Sequence, residues 1–175
     1  LLVTLYVKKK SLKWLIVADL GAPLIALGHG IGRIGCLLVG DDYGIPTNLP
    51  WGIAFPNGAP PSTAYNISQT GYILPEGISY SDVLAVHPTQ IYEMIAYFLI
   101  FFFLRFLLKR NHFSGEIFIN YLFLAGFARF VVEFIRLNPK YYFNLSGAQY
   151  ISILMMIVAT LSHYYLRKNQ SHGSD

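Results

Sequence analysis

The chain has 175 residues, of which 54% are hydrophobic and 13% charged, with a formal net charge of +4. That length leaves room for one domain, and that apolar weight is unusual for a soluble globule. The basic residues fall in separate groups rather than one patch, which argues against nucleic acid as a partner, and the single cysteine, Cys36, excludes an internal disulfide.

Residues 1–7 are apolar but too short to span a bilayer, and no signal-peptide n-region is present. They read as the tail of an earlier helix, and the chain as a fragment. Spanning takes about 20 apolar residues. Four segments qualify: 14–39, 90–108, 116–136 and 148–166. Each must be helical, because backbone groups in lipid have to be satisfied within the segment. The fold class expected is an all-α integral membrane protein. It is a polytopic helical bundle of about four complete transmembrane helices plus the tail of an earlier one. Residues 1–167 form one transmembrane domain, and 168–175 a disordered cytoplasmic tail.

Alternating helices put Lys8, Lys9, Lys10 and Lys13, then Lys109 and Arg110, then Arg167 and Lys168 on one side. The positive-inside rule makes that side cytoplasmic, with Arg105 snorkelling toward it. Segment 40–86 then lies outside. Pro46, Pro50, Pro56, Pro60 and Pro61 break it repeatedly, so turns and a short hairpin are expected. Trp51, Phe55, Tyr65, Tyr72 and Tyr80 could seat it among headgroups.

Arg33 and Arg129 lie six and seven residues before the outer ends of their helices, about 9 and 10 Å down. A charge there costs on the order of a few kcal/mol. Two readings stand: structural ion pairs, or a joint anion site whose guanidinium forks suit phosphate oxygens. Arg129, Glu133 and Arg136, at i, i+4 and i+7, share a helix face on which Glu133 can hold either arginine. Phe127, Phe130, Val131, Val132, Phe134 and Ile135 surround that stripe, so it should face a cavity.

His29 precedes Arg33 by four residues. It is either a buried hydrogen-bonder or a general base. His87 opens the second helix in His87-Pro-Thr-Gln-Ile-Tyr-Glu, where Pro88 suits a first turn. Either this is an interfacial cap anchored by Tyr92 and Glu93, or His87, Gln90 and Glu93 surround a headgroup. Gly30-Ile-Gly-Arg-Ile-Gly matches G-x-G-x-x-G, but no strand precedes it and it lies in a membrane segment. Its glycines, with Gly28 and Gly32 at small-xxx-small spacing, suit close helix contact or an opening near an anion. Cys36 reads as a packing residue. No zinc spacing and no carboxylate triad occurs, so no metal and no cofactor is expected.

Four blocks in order resemble the bacterial prolipoprotein diacylglyceryl transferases. They are Gly32-Arg-Ile-Gly with Gly40-Asp-Asp-Tyr-Gly-x-Pro-Thr-x-Leu-Pro-Trp-Gly; His87-Pro-Thr-Gln-Ile-Tyr-Glu; Gly126-Phe-Ala-Arg-Phe-Val-Val-Glu-Phe-Ile-Arg; and Leu145-Ser-Gly-Ala-Gln-Tyr-Ile-Ser. The resemblance implies a multi-pass enzyme of the bacterial inner membrane, with its active site toward the periplasmic leaflet and its C-terminus cytoplasmic. It implies transfer of the diacylglyceryl group of phosphatidylglycerol to the lipobox cysteine of a prolipoprotein signal peptide, with release of glycerol phosphate. Arg33 matches the family's phosphatidylglycerol-binding arginine. Arg129, Glu133 and Arg136 match its essential charged face, and Gly44 the turn closing its signature.

The catalytic candidates are therefore Arg129, Glu133, Arg136, His29 and His87. The substrate-binding candidates are Arg33, Asp41, Gly44, Gln90, Tyr92 and Glu93. The chain has Cys36 where the family often has Asn, and Asp41 where it has Glu. The family's early histidine-bearing segment is not in the chain. The thiol must become a thiolate to attack. That missing histidine or His29 would serve as base, and His29 is expected only to support one. The alternative reading is a catalytically inactive lipid-binding membrane protein or pseudoenzyme fragment. A transporter would show an inverted internal repeat, and none is seen.

Overall fold

The computed structural model describes residues 2–110 and 112–171. In chain order the elements are α1 (Leu2–Lys9), α2 (Trp14–Val39), β1 (Ile53–Ala54), α3 (Ala64–Ser68), β2 (Ala85–Val86), α4 (Thr89–Leu107), α5 (Glu116–Val132) and α6 (Gly147–Ser171). Short 3-10 turns cover Glu133–Ile135 and Tyr142–Asn144. Helices α2, α4, α5 with its 3-10 extension, and α6 are long and apolar enough to cross a membrane. The protein is thus a mostly helical, multi-pass membrane protein. Outward-facing Leu20, Leu24, Ile31 and Leu38 on α2, and Ile151, Leu154 and Leu161 on α6, suit contact with lipid.

Small residues let the helices approach. Ala22 and Ala26 of α2 are fully buried against Tyr97, Ile100 and Leu104 of α4 and Ile117, Tyr121 and Ala125 of α5. Gly30 lies so close to Phe98 that a Cβ there would sit 2.8 Å from the ring. Within the glycine-rich stretch only Gly30 makes the anticipated close contact; Gly28 and Gly32, at small-xxx-small spacing, and Gly35 face open space, so that pair does not bring helices together. Gly126 packs as Gly30 does, on the Ser152 carbonyl of α6.

The four spans lie close to those read from the sequence, with two differences. The third is not one α-helix through residue 136. It tightens to a 3-10 turn at Glu133, and Arg136 is already extended. The cause is tertiary: the Ile135 carbonyl accepts from the Ile45 amide at 2.9 Å, and Arg136 bridges to Gly44. The expected disordered tail also fails at its start, because α6 runs on to Ser171. Residues 172–175 lie outside those described.

One bundle end joins α2, α5 and α6. Gly115, before α5, faces the side chains of Leu15 and Leu166. Asp19 of α2 accepts hydrogen bonds from the Gly115 amide at 2.6 Å and the Phe118 amide at 2.9 Å. A carboxylate here satisfies amides that a helix start leaves unpaired and meets the positive end of the helix dipole. The three basic groups cluster at this end, where Arg110 also lies 4.3 Å over the Phe106 ring.

Segment 40–86 caps the opposite end. It is more ordered than its prolines suggest. β1 pairs antiparallel with β2, Ile53 opposite Val86, so residues 55–84 separate the two strands and no short hairpin joins them. Tyr43, Phe55, Ile67 and Val86 form a second small core, with Tyr43 and Phe55 stacked at 5.7 Å. Phe55 is therefore buried, not interfacial. Trp51, Tyr65 and Tyr80 remain exposed and Tyr72 is half-buried. The cap joins α2 through Gly40, whose φ of +70° ends the helix in the left-handed region. A Cβ at Gly40 would sit 2.9 Å from Gly58.

Candidate functional site

The arginines singled out by the sequence converge at the capped end. Glu93, one turn into α4, is their centre. Its carboxylate engages Arg33 through Nε, Arg129 through Nη1 at 2.7 Å, and Arg136 through Nη1 at 3.5 Å. Glu133 pairs with Arg129 at 3.3 Å and Arg136 at 3.9 Å, and accepts from the Asn138 amide. Asp42 bridges the remaining gap, accepting from Arg33 Nη1 at 2.8 Å and from Arg136 Nη2. Three guanidinium groups and three carboxylates thus form one ring of ion pairs, balanced in formal charge.

The local fold explains this meeting. Arg33 is six residues from the end of α2, and Arg129 is in the last turn of α5. The 3-10 turn then swings Arg136 back beside Glu133. Gly44 makes the close approach possible. A Cβ on it would sit 2.5 Å from the Ile135 carbonyl and 2.9 Å from Thr89. Gly44 therefore acts through backbone packing, its amide donating to the His87 carbonyl at 2.9 Å.

The Asp41–Asp42 backbone is tied to the start of α4. The Gln90 amide donates to the Asp41 carbonyl, and the Thr89 hydroxyl to the Asp42 carbonyl. Gln90 Oε1 and Asp41 Oδ1 are buried without a hydrogen-bond partner among the described residues. Both are acceptors, which suits a ligand bearing hydroxyl donors.

Burial works to raise the Asp42 carboxyl's pKa. Arg136 and Arg33 outweigh it and hold the carboxyl below its ordinary value. Burial alone pushes the neighbouring Tyr43 hydroxyl up.

The histidines stand apart from this ring. His29 Nδ1 lies 3.1 Å from the Tyr121 hydroxyl, and its ring rests 4.9 Å from that of Tyr97. His87 Nδ1 lies 3.1 Å from the Tyr92 hydroxyl, which also accepts from the Trp51 indole at 2.8 Å. Indole nitrogen only donates, so Tyr92 accepts from Trp51, and the direction of its bond with His87 follows the histidine tautomer. Tyr92 and His87 thus belong with Trp51 of the cap.

Cys36, Asp41 and Asp42 place a thiol and two carboxylates within 4.8 Å of one another, the nearest thing to a cation site among the described residues. Arg33 and Arg136 already engage Asp42 there.

Sequence reasoning missed Asp42, Asn138 and Asp19. Charge counting led to the wrong neighbour: Arg33, Arg129 and Arg136 call for three carboxylates, and Asp41 was named beside Glu93 and Glu133, whereas it is Asp42 that pairs with Arg33 and Arg136. Asn138 and Asp19 carry no such signal.

A sequence model described as prolipoprotein diacylglyceryl transferase matches residues 1–165. A Clostridium tetani protein named phosphatidylglycerol–prolipoprotein diacylglyceryl transferase is 39% identical over 157 residues, covering 89% of this chain and 55% of that protein. Its namesake from Finegoldia magna is 36% identical over 169 residues, covering 95% and 58%. That of Thermotoga maritima is 31% identical over 164 residues, covering 93% and 50%. The chain spans about half the length of these curated relatives.

Proposed function

The chain belongs to the prolipoprotein diacylglyceryl transferase family, and from that premise we propose that it serves the transfer of diacylglyceryl from phosphatidylglycerol to the lipobox cysteine of a prolipoprotein. The supporting observation is the meeting of Arg33 and Arg129 on one buried carboxylate, with both guanidinium groups still partly open. Two forks fixed beforehand by Glu93 do not have to reorganise when an anion arrives. That preorganisation makes an electrostatic site effective.

The reaction asks for such charge. The lipobox sulfur, as thiolate, attacks the glyceryl carbon that carries the phosphate. A C–S bond forms and that carbon's C–O bond breaks, and the electron pair leaves on a phosphate oxygen of glycerol phosphate. Arg33, Arg129 and Arg136 stabilise that developing charge, with Glu93 and Glu133 holding their guanidinium groups in place. The headgroup hydroxyls donate to Gln90 Oε1 and Asp41 Oδ1. His29, tied to Tyr121, supports the proton acceptor for the thiol rather than being it. His87, Tyr92 and Trp51 steady the cap over the headgroup.

The shared end of the three basic groups supports a cytoplasmic position for that end and for the C-terminus, with the arginine ring toward the periplasmic leaflet of a bacterial inner membrane.

The test follows labelled phosphatidylglycerol into a lipobox peptide, using membranes that contain the full-length protein. Arg33→Ala and Arg129→Ala should each lower transfer about 10²–10³-fold. Undiminished transfer in both well-expressed variants would sink the assigned site. No transfer from well-expressed wild-type protein would favour a lipid-binding protein without the activity.

A further inference from the structure

We propose that Asp42 is a carboxylate placeholder for the lipid phosphate, bridging Arg33 and Arg136 until phosphatidylglycerol displaces it. The proposal rests on the transferase reading and adds a residue that sets how tightly the lipid is held.

The three carboxylates of the ring differ in freedom. The side chains of Glu93 and Glu133 are 2% and 0% exposed, whereas that of Asp42 is 40% exposed. Glu93 and Glu133 extend from packed helical turns, while Asp42 sits on the loop that leaves α2. Its backbone is nonetheless fixed. Gln90 and Thr89 hold the carbonyls of Asp41 and Asp42, and Asp42 has a φ of +59°, a left-handed conformation that aspartate tolerates better than most residues. The side chain can therefore turn while the loop stays in place. A cleft of about 160 Å³, lined by Asp42 itself with Tyr43, Asn66, Thr70, Arg136 and Asn138, gives it somewhere to go.

Its position is the one a phosphate would take. It answers guanidinium groups from two elements, the end of α2 and the turn after α5, with one carboxylate oxygen each. A phosphodiester offers the same pair of oxygens and the same single charge. With Asp42 engaged, the ring is neutral. With Asp42 turned away, one positive charge is left, equal and opposite to that of the arriving lipid. Asp42 thus competes with the substrate and keeps the arginines paired between turnovers, since a charge left alone at this depth is costly.

The test compares wild type with Asp42→Asn, which keeps the shape and removes the charge. Transfer is measured against the mole fraction of phosphatidylglycerol in mixed micelles, and glycerol phosphate is added as a soluble competitor. The apparent KM of Asp42→Asn should fall about three- to tenfold, and inhibition by glycerol phosphate should strengthen by a similar factor. Asp42→Glu should return both toward wild type. An unchanged or raised KM in folded Asp42→Asn overturns the proposal and makes the residue a clamp or a headgroup contact. If neither Asp42→Asn nor Asp42→Ser folds, the proposal also fails, because a carboxylate the fold requires cannot be displaced. Wild-type protein that transfers nothing would instead remove the transferase reading itself. Active wild type with an unaltered Asn variant removes only the placeholder.

Discussion

Helix α2 carries a membrane-embedded charge near each end, and the two are treated in opposite ways. Near its start, Asp19 is buried and answered by two fixed backbone amides, that of Gly115 just before α5 and that of Phe118 in its first turn. Near its end, Arg33 is answered by side chains alone, one of them on an exposed loop residue. Backbone donors cannot leave without unwinding a helix, so the Asp19 end is a closed joint. Side-chain partners can exchange, so the Arg33 end can admit an anion. Burial of charge therefore does not by itself mark a working site here; partners that can exchange do.

The largest test of this contrast removes the hub of the exchangeable end. Glu93→Ala leaves Arg33, Arg129 and Arg136 facing one another with one carboxylate fewer, and should cost about 3–5 kcal/mol of stability. Thermal unfolding in detergent reads this, and transfer should be lost with it. A variant as stable as wild type would show that the ring is wet and loosely coupled.

Asp19→Ala strips the closed joint instead. Two amide partners are lost, and the expected cost is about 1–3 kcal/mol. The KM for phosphatidylglycerol should stay put, because the site is at the other end of the bundle. A changed KM at unchanged stability would break the comparison, by showing that the two ends communicate.

How much of this was readable beforehand depends on the range of the interaction. The spans followed from hydropathy, since lipid forces helix on any long apolar run. The convergence of Arg33 with Arg129 was legible because both lie at one depth. Glu93 had been placed beside a headgroup, not at the centre of three arginines, because helix rotation cannot be read from depth. The small core around Tyr43, Phe55, Ile67 and Val86 was hidden for another reason. Its strands are two residues long and some 30 residues apart, too short for periodicity to register, and prolines masked the order. Asp19 drew no attention because its partners are amides, which no side-chain pattern reveals.

A smaller effect is expected where the cap meets α4. Tyr92→Phe cuts the link between Trp51 and His87 while leaving the ring, and should cost about 0.5–1.5 kcal/mol. Arg33-dependent transfer should persist at a somewhat lower rate. Loss as complete as in Arg33→Ala would move Tyr92 into the exchangeable group.

The smallest effect concerns pH. Asp42 has a folded pKa below its ordinary 3.8. A depressed carboxylate contributes its full stabilisation above the unfolded value and loses it as pH falls through the folded one. Across pH 5–8 its bridge to Arg33 and Arg136 is therefore constant. The Tyr43 hydroxyl, with its pKa raised by burial, also stays neutral throughout. The ratio of the two KM values should then be flat from pH 5 to 8. It should approach one only in acid, where protonation gives wild type the uncharged side chain that asparagine imitates. A ratio that bends near neutrality would mean that Asp42 is coupled to a histidine. The Arg33 end would then hold a proton relay as well as an exchangeable ion pair.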